Sequence, residues 1–255
     1  GALTSAAHCT AVGAFALDAN TTGNSNTGLG RNTLGANTTG AANTAVGSLA
    51  LEANSTGAQN TAVGVFALDD NTTADNNTAV GYNSLTANTT GDSNVAVGHN
   101  SLDANSTGSN NTGVGQRALT ANTTANNNTA VGVNSLGSNT TGTQNVAVGA
   151  FALDANTTAS SNTAVGYFAL TLATTGASNT AVGDRACEDL TTASNITALG
   201  TQALANNTTG DSNTSLGMQS LFTNTTGARN VAVGKDALRA STTSSDNTAV
   251  GTDAL

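Results

Sequence analysis

The chain has 255 residues, a formal net charge of −9, and only 8% charged and 3% aromatic residues. An ordinary soluble domain carries about 25% charged residues, and this chain also has too few large apolar side chains to fill a globular core. Low charge and the regular recurrence of Val, Leu and Ala argue equally against a disordered chain.

Composition also narrows the class of partner. A surface that binds nucleic acid requires a basic patch, and the six Lys and Arg residues form none. We therefore expect no nucleic acid among the partners. The longest apolar runs, such as residues 146–153, are too short to span a bilayer, so we expect no membrane insertion by this segment. The sequence starts without Met and without the charged and apolar regions of a signal peptide, which indicates a processed chain or part of a longer one.

Glycine recurs every 17 residues, from Gly13 to Gly251, and no insertion breaks the register. Fifteen such repeats account for all 255 residues. A fixed short period is typical of solenoids, whose repeats stack because one repeat alone cannot bury its apolar face. The sequence therefore predicts an all-β fold with one domain, 1–255: a β-solenoid of fifteen coils that forms a segment of a longer fibre.

Within each repeat the predicted elements follow a fixed order. Around Gly64, Asn60 precedes the segment Thr61–Val63, and Phe-Ala-Leu follows at residues 66–68. Both segments alternate with period two, which predicts two short strands per coil. A helical hairpin is the competing structure. We reject it because Asn-Thr-Thr-Gly, Asn-Thr and Gly leave no helical stretch of useful length.

Two bulky apolar positions recur in every coil. Val or Leu precedes each repeated glycine, and Leu follows four residues after it, except where Cys187 stands. We predict both positions as core, with Val131 and Leu136 as central examples. The small residues beside them, such as Ala62 and Ala67, indicate close packing. They pack either against the opposite wall of the same roll or against another chain.

Asparagine forms two ladders along the repeats. One Asn lies four residues before the glycine in thirteen of fifteen coils, with Cys9 and Ile196 in the other two. The second begins each Asn-Thr-Thr turn, as at Asn20 and Asn37. Asn tolerates left-handed backbone and stacked amides bond to one another, so the ladders predict corners tied coil to coil. The glycine itself is predicted to supply a positive φ or a close backbone approach.

The repeated motif resembles two groups of fibre proteins. Residues 77–81 read Asn-Thr-Ala-Val-Gly, which is similar to the Asn-Ser-Val-Ala-Ile-Gly repeat of YadA-type trimeric autotransporter heads. The longer pattern, 77–85 followed by Asn-Thr-Thr-Gly at 88–91, resembles repeat arrays of bacterial and phage fibres associated with endosialidase-type chaperones. The resemblance covers all 255 residues and implies a left-handed roll, a parallel homotrimer and an extracellular, cell-surface or virion-fibre location. The coil here is longer than the YadA-type coil.

No set of residues in the sequence points to catalysis, a cofactor or a metal. His8 and His99 lie at different phases of the repeat, and the acids that follow Leu, such as Asp69, predict a solvated edge rather than a calcium loop. Cys9 and Cys187 are ten coils apart, too far for a disulfide in one stack, and are interpreted as small apolar substitutes. The Asn-Thr-Thr triplets match the glycosylation sequon, but we favour their role in turns.

The residues one and two positions after each glycine vary most along the repeats. This variation indicates that the face they form is not constrained by packing. We predict that any recognition surface lies here, with neutral variation on a solvated stripe as the alternative. The candidates are the ring-bearing residues at these positions: Phe66, Tyr82, His99, Phe151, Tyr167 and Phe168.

Three functions stay open. The first is a rigid structural or adhesive fibre segment that self-associates and meets a host-surface glycan or protein receptor, without enzyme activity. The second is an ice-binding solenoid with an outward Thr-x-Val array. A core Val argues against it, because the neighbouring Thr would then also face inward. The third is a fibre-borne module that binds or cleaves glycans.

Overall fold

A computed structural model describes residues 5–255 and divides the chain after Asn127 into two compact units. Each repeat contributes one strand of three residues. The first unit contains β1 (Thr10–Val12), β2 (Thr27–Leu29), β3 (Thr44–Val46), β4 (Thr61–Val63), β5 (Thr78–Val80), β6 (Val95–Val97) and β7 (Thr112–Val114). The second contains β8 (Thr129–Val131), β9 (Val146–Val148), β10 (Thr163–Val165), β11 (Thr180–Val182), β12 (Thr197–Leu199), β13 (Thr214–Leu216), β14 (Val231–Val233) and β15 (Thr248–Val250).

Within each unit, neighbouring strands are parallel and in register, one repeat apart. Val63 pairs with Val80 in the first unit, and Val165 pairs with Val182 in the second. The described residues, 5–255, contain no helix. The all-β solenoid with 17-residue coils is therefore confirmed, and the helical hairpin is excluded.

The prediction of a second strand in each coil is wrong. Residues 66–68 form a turn, because Phe66 and Leu68 have φ values of 60° and 53°, whereas a strand needs negative φ. These turns still bond coil to coil: the Phe66 N–H donates to the Ser48 carbonyl at 3.2 Å, and the Leu68 N–H to the Ser84 carbonyl at 3.0 Å. We name the stacked strands the strand wall, and the stacked segments two to four residues after each glycine the turn wall.

The prediction of Val as a core residue is also wrong, whereas Leu is correctly placed. Val131 is 36% exposed, while its neighbour Ala130 and the turn-wall residue Leu136 are 0% exposed. The strand alternates as predicted but with the opposite face inward, because two Asn ladders and one Leu per coil already occupy the narrow interior. Ala62 and Ala67 are buried within their own unit, which explains their small size without a second chain.

Both predicted Asn ladders are present and buried. In the turn ladder, the Asn37 Nδ2 donates to Asn20 Oδ1 at 2.8 Å and to the Gly40 carbonyl at 3.0 Å. In the ladder that lies four residues before each glycine, the Asn43 N–H donates to Asn26 Oδ1 at 2.9 Å. A buried amide is costly unless it is paired, so these bonds keep neighbouring coils in register.

The repeated glycine has both predicted roles. Gly98 has a φ of 134°, and a Cβ placed on it would lie 2.6 Å from the Gly115 carbonyl oxygen of the next coil. Any larger residue would therefore strain the backbone and push neighbouring coils apart.

Candidate recognition surfaces

The first candidate surface is the outward side of the strand wall. In β2 to β15 the middle residue of each strand is buried, and the first and third residues are half-buried or exposed. Val63 and Val80, for example, are both 37% exposed. We name these first and third residues of β1 to β15 the Thr/Val face.

The Thr/Val face is chemically uniform. The first residue of each strand is Thr, or Val in β6, β9 and β14, and the third residue is Val or Leu. Since the strands pair in register within each unit, hydroxyl-bearing residues stack on one another about 4.8 Å apart, and so do the apolar ones. None of these strand residues carries a charge. The surface is thus a regular, uncharged lattice of methyl and hydroxyl groups.

The second candidate surface is a cluster of rings in the first unit. The centroids of Phe66 and Tyr82 lie 6.1 Å apart with nearly perpendicular planes, and those of Tyr82 and His99 lie 5.6 Å apart at 44°. Tyr82 is 50% exposed. We name these three residues the first aromatic cluster.

A denser cluster lies in the second unit. Phe151 and Phe168 stack with centroids 5.0 Å apart, and the Tyr167 ring meets Phe168 edge-on at 4.4 Å. The Arg185 guanidinium lies 5.9 Å from the Phe168 ring centre and 3.9 Å from the Glu188 carboxylate. We name the three rings the second aromatic cluster. All six predicted recognition residues therefore fall into two clusters of three, which the 17-residue register brings together.

One further group of charged and polar residues lies close together in the first unit. Phe15, Asp18, Arg31 and Glu52 line a depression of about 380 Å³, in which the Asn32 amide donates to the Glu52 carboxylate at 2.8 Å. Nearby, burial and the charges of Glu52 and Asp70 raise the pKa of Asp69 to about 6. Among residues 5–255, no group of three His, Cys, Asp or Glu side chains is placed to hold a metal ion.

The cysteines and the sequons have structural roles. Cys187 is buried in a Leu position, where desolvation raises the pKa of its thiol, and Cys9 occupies an Asn position; both thiols are unbridged. The sequon asparagines are fully buried, as at Asn37 of an Asn-Thr-Thr triplet and Asn54 of an Asn-Ser-Thr triplet. Since their amides bond to neighbouring coils, their predicted role in the turns is confirmed.

No protein-family model matches the chain, and no curated protein matches its sequence. No helix in the described part, residues 5–255, is long and apolar enough to cross a membrane.

Proposed function

We propose that the chain is a rigid structural segment of an extracellular fibre, on a cell-surface adhesin or a virion, and that copies associate laterally through the Thr/Val face. The observation that carries this proposal is the uniform, uncharged and outward-facing Thr/Val lattice. Contiguous exposed apolar arrays commonly mark interaction sites. The resemblance to trimeric fibre repeats supports three parallel copies.

The role of such a segment is mechanical. Every coil is tied to its neighbours by strand bonds, by turn-wall bonds and by buried Asn amides. Because each element bonds to the equivalent element one repeat away, unfolding one coil breaks many bonds together. The solenoid thus supplies stiffness, and the Thr/Val face supplies self-association.

Light scattering of the 255-residue chain tests the association. We expect a particle of three chain masses at micromolar concentration. We also expect the double variant Val165→Lys with Val182→Lys to be monomeric, because two charges would be buried in the interface. Thr158→Lys, which places a single Lys at an exposed turn position outside the Thr/Val face, is the control and should stay trimeric. A monomeric unmodified chain would contradict the proposal.

Ice binding is the second candidate, and one observation favours it specifically. The objection that Val packs in the core does not hold, because Thr and Val both face outward and repeat in register. A regular, uncharged hydroxyl and methyl lattice is suited to ordering water. If the unmodified chain shows thermal hysteresis, and the Val165→Lys and Val182→Lys double variant abolishes it while Thr158→Lys does not, ice binding takes precedence over fibre association. Glycan cleavage gains no comparable observation.

A further inference from the structure

We propose that the two aromatic clusters are carbohydrate-binding sites, whose rings stack on the apolar faces of sugar rings. Fibre association depends on the Thr/Val face, whereas this proposal depends on residues after the repeated glycine. The two proposals therefore stand or fall separately.

The first argument is the backbone conformation that places the rings. Phe66, Phe151 and Phe168 have φ values of 60°, 59° and 54°. Other coils carry Asn at this position, as at Asn83 and Asn100, and Asn tolerates left-handed backbone better than a bulky aromatic residue does. The same left-handed backbone recurs at this position with unrelated side chains, as at Leu49 and Arg117. It therefore fixes where the three Phe rings project and is not by itself evidence of a site.

The second argument is the match between the clusters and a pyranose. A sugar ring presents C–H groups on its flat faces and hydroxyls around its rim, and an aromatic face attracts C–H groups through its negative charge density. Tyr82 and Tyr167 are each about half exposed, at 50% and 47%, so their rings are accessible. Beside the second cluster, Arg185 offers guanidinium donors to hydroxyl or carboxylate groups of a sugar, since its side chain is 45% exposed.

The third argument is size, which separates a sugar from a protein partner. The first cluster draws its rings from three successive coils and the second from two, so they span roughly 10 Å and roughly 5 Å along the stack. A stable protein interface buries about 800 Å² on each partner. Three rings cover only a small part of such an area, but they suffice for one or two sugar units. A second copy of this chain or a protein receptor is therefore the less suitable occupant.

The two Tyr residues can serve as intrinsic fluorescence probes of the two aromatic clusters. The chain has no Trp and only two Tyr, of which Tyr82 lies in the first cluster and Tyr167 in the second. In Tyr82→Phe only Tyr167 emits, and in Tyr167→Phe only Tyr82 emits, so tyrosine fluorescence reports one cluster at a time. The full chain is first screened on an array of neutral and acidic oligosaccharides, and the strongest binders are then titrated against these two variants.

We expect saturable fluorescence changes in both variants. Replacing both Tyr residues by Ala should lower the affinity of the chain for the same sugar at least tenfold, measured by calorimetry because this variant has no Tyr to report binding. Phe15→Ala is the control for loss of an aromatic ring, because Phe15 occupies the same position in its coil as Phe66 and Phe151 but belongs to neither cluster, and it should bind normally. Acidic sugars should favour the second cluster, and Arg185→Gln should remove that preference. Circular dichroism checks that each variant folds.

Three results would overturn the proposal. One is the absence of array binding by a folded chain. Another is binding that persists when both Tyr are replaced by Ala. The third is a change of oligomeric state in Tyr82→Ala or Tyr167→Ala, which would make the clusters contacts between copies.

Discussion

The strand wall and the turn wall of each coil use similar sequences in opposite ways. Thr-Ala-Val directs its small central residue inward and its bulky residues outward, whereas Phe-Ala-Leu buries both Ala and Leu. The difference lies in φ, which is positive at Phe66 and Leu68 but not in β4. An extended segment must alternate its side chains between faces. Residues in the left-handed conformation do not follow this alternation, so the turn wall places the side chains of two successive residues, Ala67 and Leu68, inside.

The glycine between the walls gives the largest expected effect. Gly98→Ala should destabilise the fold by about 3–5 kcal/mol, because it combines a disfavoured φ with a backbone clash. Gly35→Ala is the control, since its Cβ would meet no neighbour closer than 3.3 Å and no unusual φ constrains it. Urea denaturation followed by circular dichroism measures both. Equal losses would show that the two walls do not depend on this bend.

Leu136 and Val131 test the inward and outward assignments directly. Leu136→Ala should cost about 2–5 kcal/mol, as for a fully buried Leu, whereas Val131→Ala should cost less than about 1 kcal/mol because Val131 stays partly solvated. Melting temperatures at low protein concentration, where copies do not associate, give the comparison. If Val131→Ala costs as much as Leu136→Ala, the outward assignment of Val is wrong.

The turn ladder has a defect that a substitution should repair. Asn224 Oδ1 and Ser241 Oγ are buried without hydrogen-bond partners, because Ser241 stands where most coils carry Asn. Ser241→Asn should donate to Asn224 Oδ1 and to the Ser244 carbonyl, and so stabilise the fold by about 1 kcal/mol. Ser241→Ala, which restores no bond, is the matched control. A lower melting temperature for Ser241→Asn would contradict this account of the ladder.

The smallest expected effect is a pH dependence beside the turn wall. Burial and neighbouring charges raise the pKa of Asp69 to about 6, above its value near 3.9 in the unfolded chain. The folded state therefore holds the proton more tightly, so this group favours folding at pH 4 and loses that contribution as the pH rises through 6. Asp69→Asn should stabilise the fold at pH 8 by about 1 kcal/mol at most, since solvent screens this partly exposed group.

Thermal melts of Asp69→Asn at pH 4 and pH 8 measure this difference. Ser93→Asn, which introduces the same amide at an exposed position and removes no carboxylate, is the control. A stabilisation by Asp69→Asn that is the same at both pH values would show that the carboxylate charge is not its cause.

Several features of the fold were predictable from the sequence because they follow from the repeat. The 17-residue register fixes which residues stack, so the Asn ladders, the inward Leu and the positive φ at glycine were all predicted correctly. The same register brings Phe66, Tyr82 and His99 together, although each had been selected only as a candidate.

The two errors have a common cause. Period-two alternation shows that Ala62 and Val63 face opposite sides, but it does not show which one faces inward. Hydrophobicity favours Val, whereas the space left beside the Asn ladders favours Ala. The left-handed turn wall did leave one signal, the Asn at positions such as Asn83 and Asn100, since Asn favours that conformation. In the sequence alone these Asn residues resemble free variation, because other coils carry Phe, Arg or Gln at the same position.

The hydrogen bonds of the turn wall have an electrostatic consequence for the length of a stack. The Phe66 N–H points toward the preceding coil, whereas the Leu68 N–H points toward the following one. In an α-helix all peptide dipoles align and their sum places partial charges at the two ends. Opposed peptide groups largely cancel instead, as they do in sheets. Each added coil thus contributes bonds without enlarging a dipole along the stack, and repeats can accumulate within a unit without a growing charge at its ends.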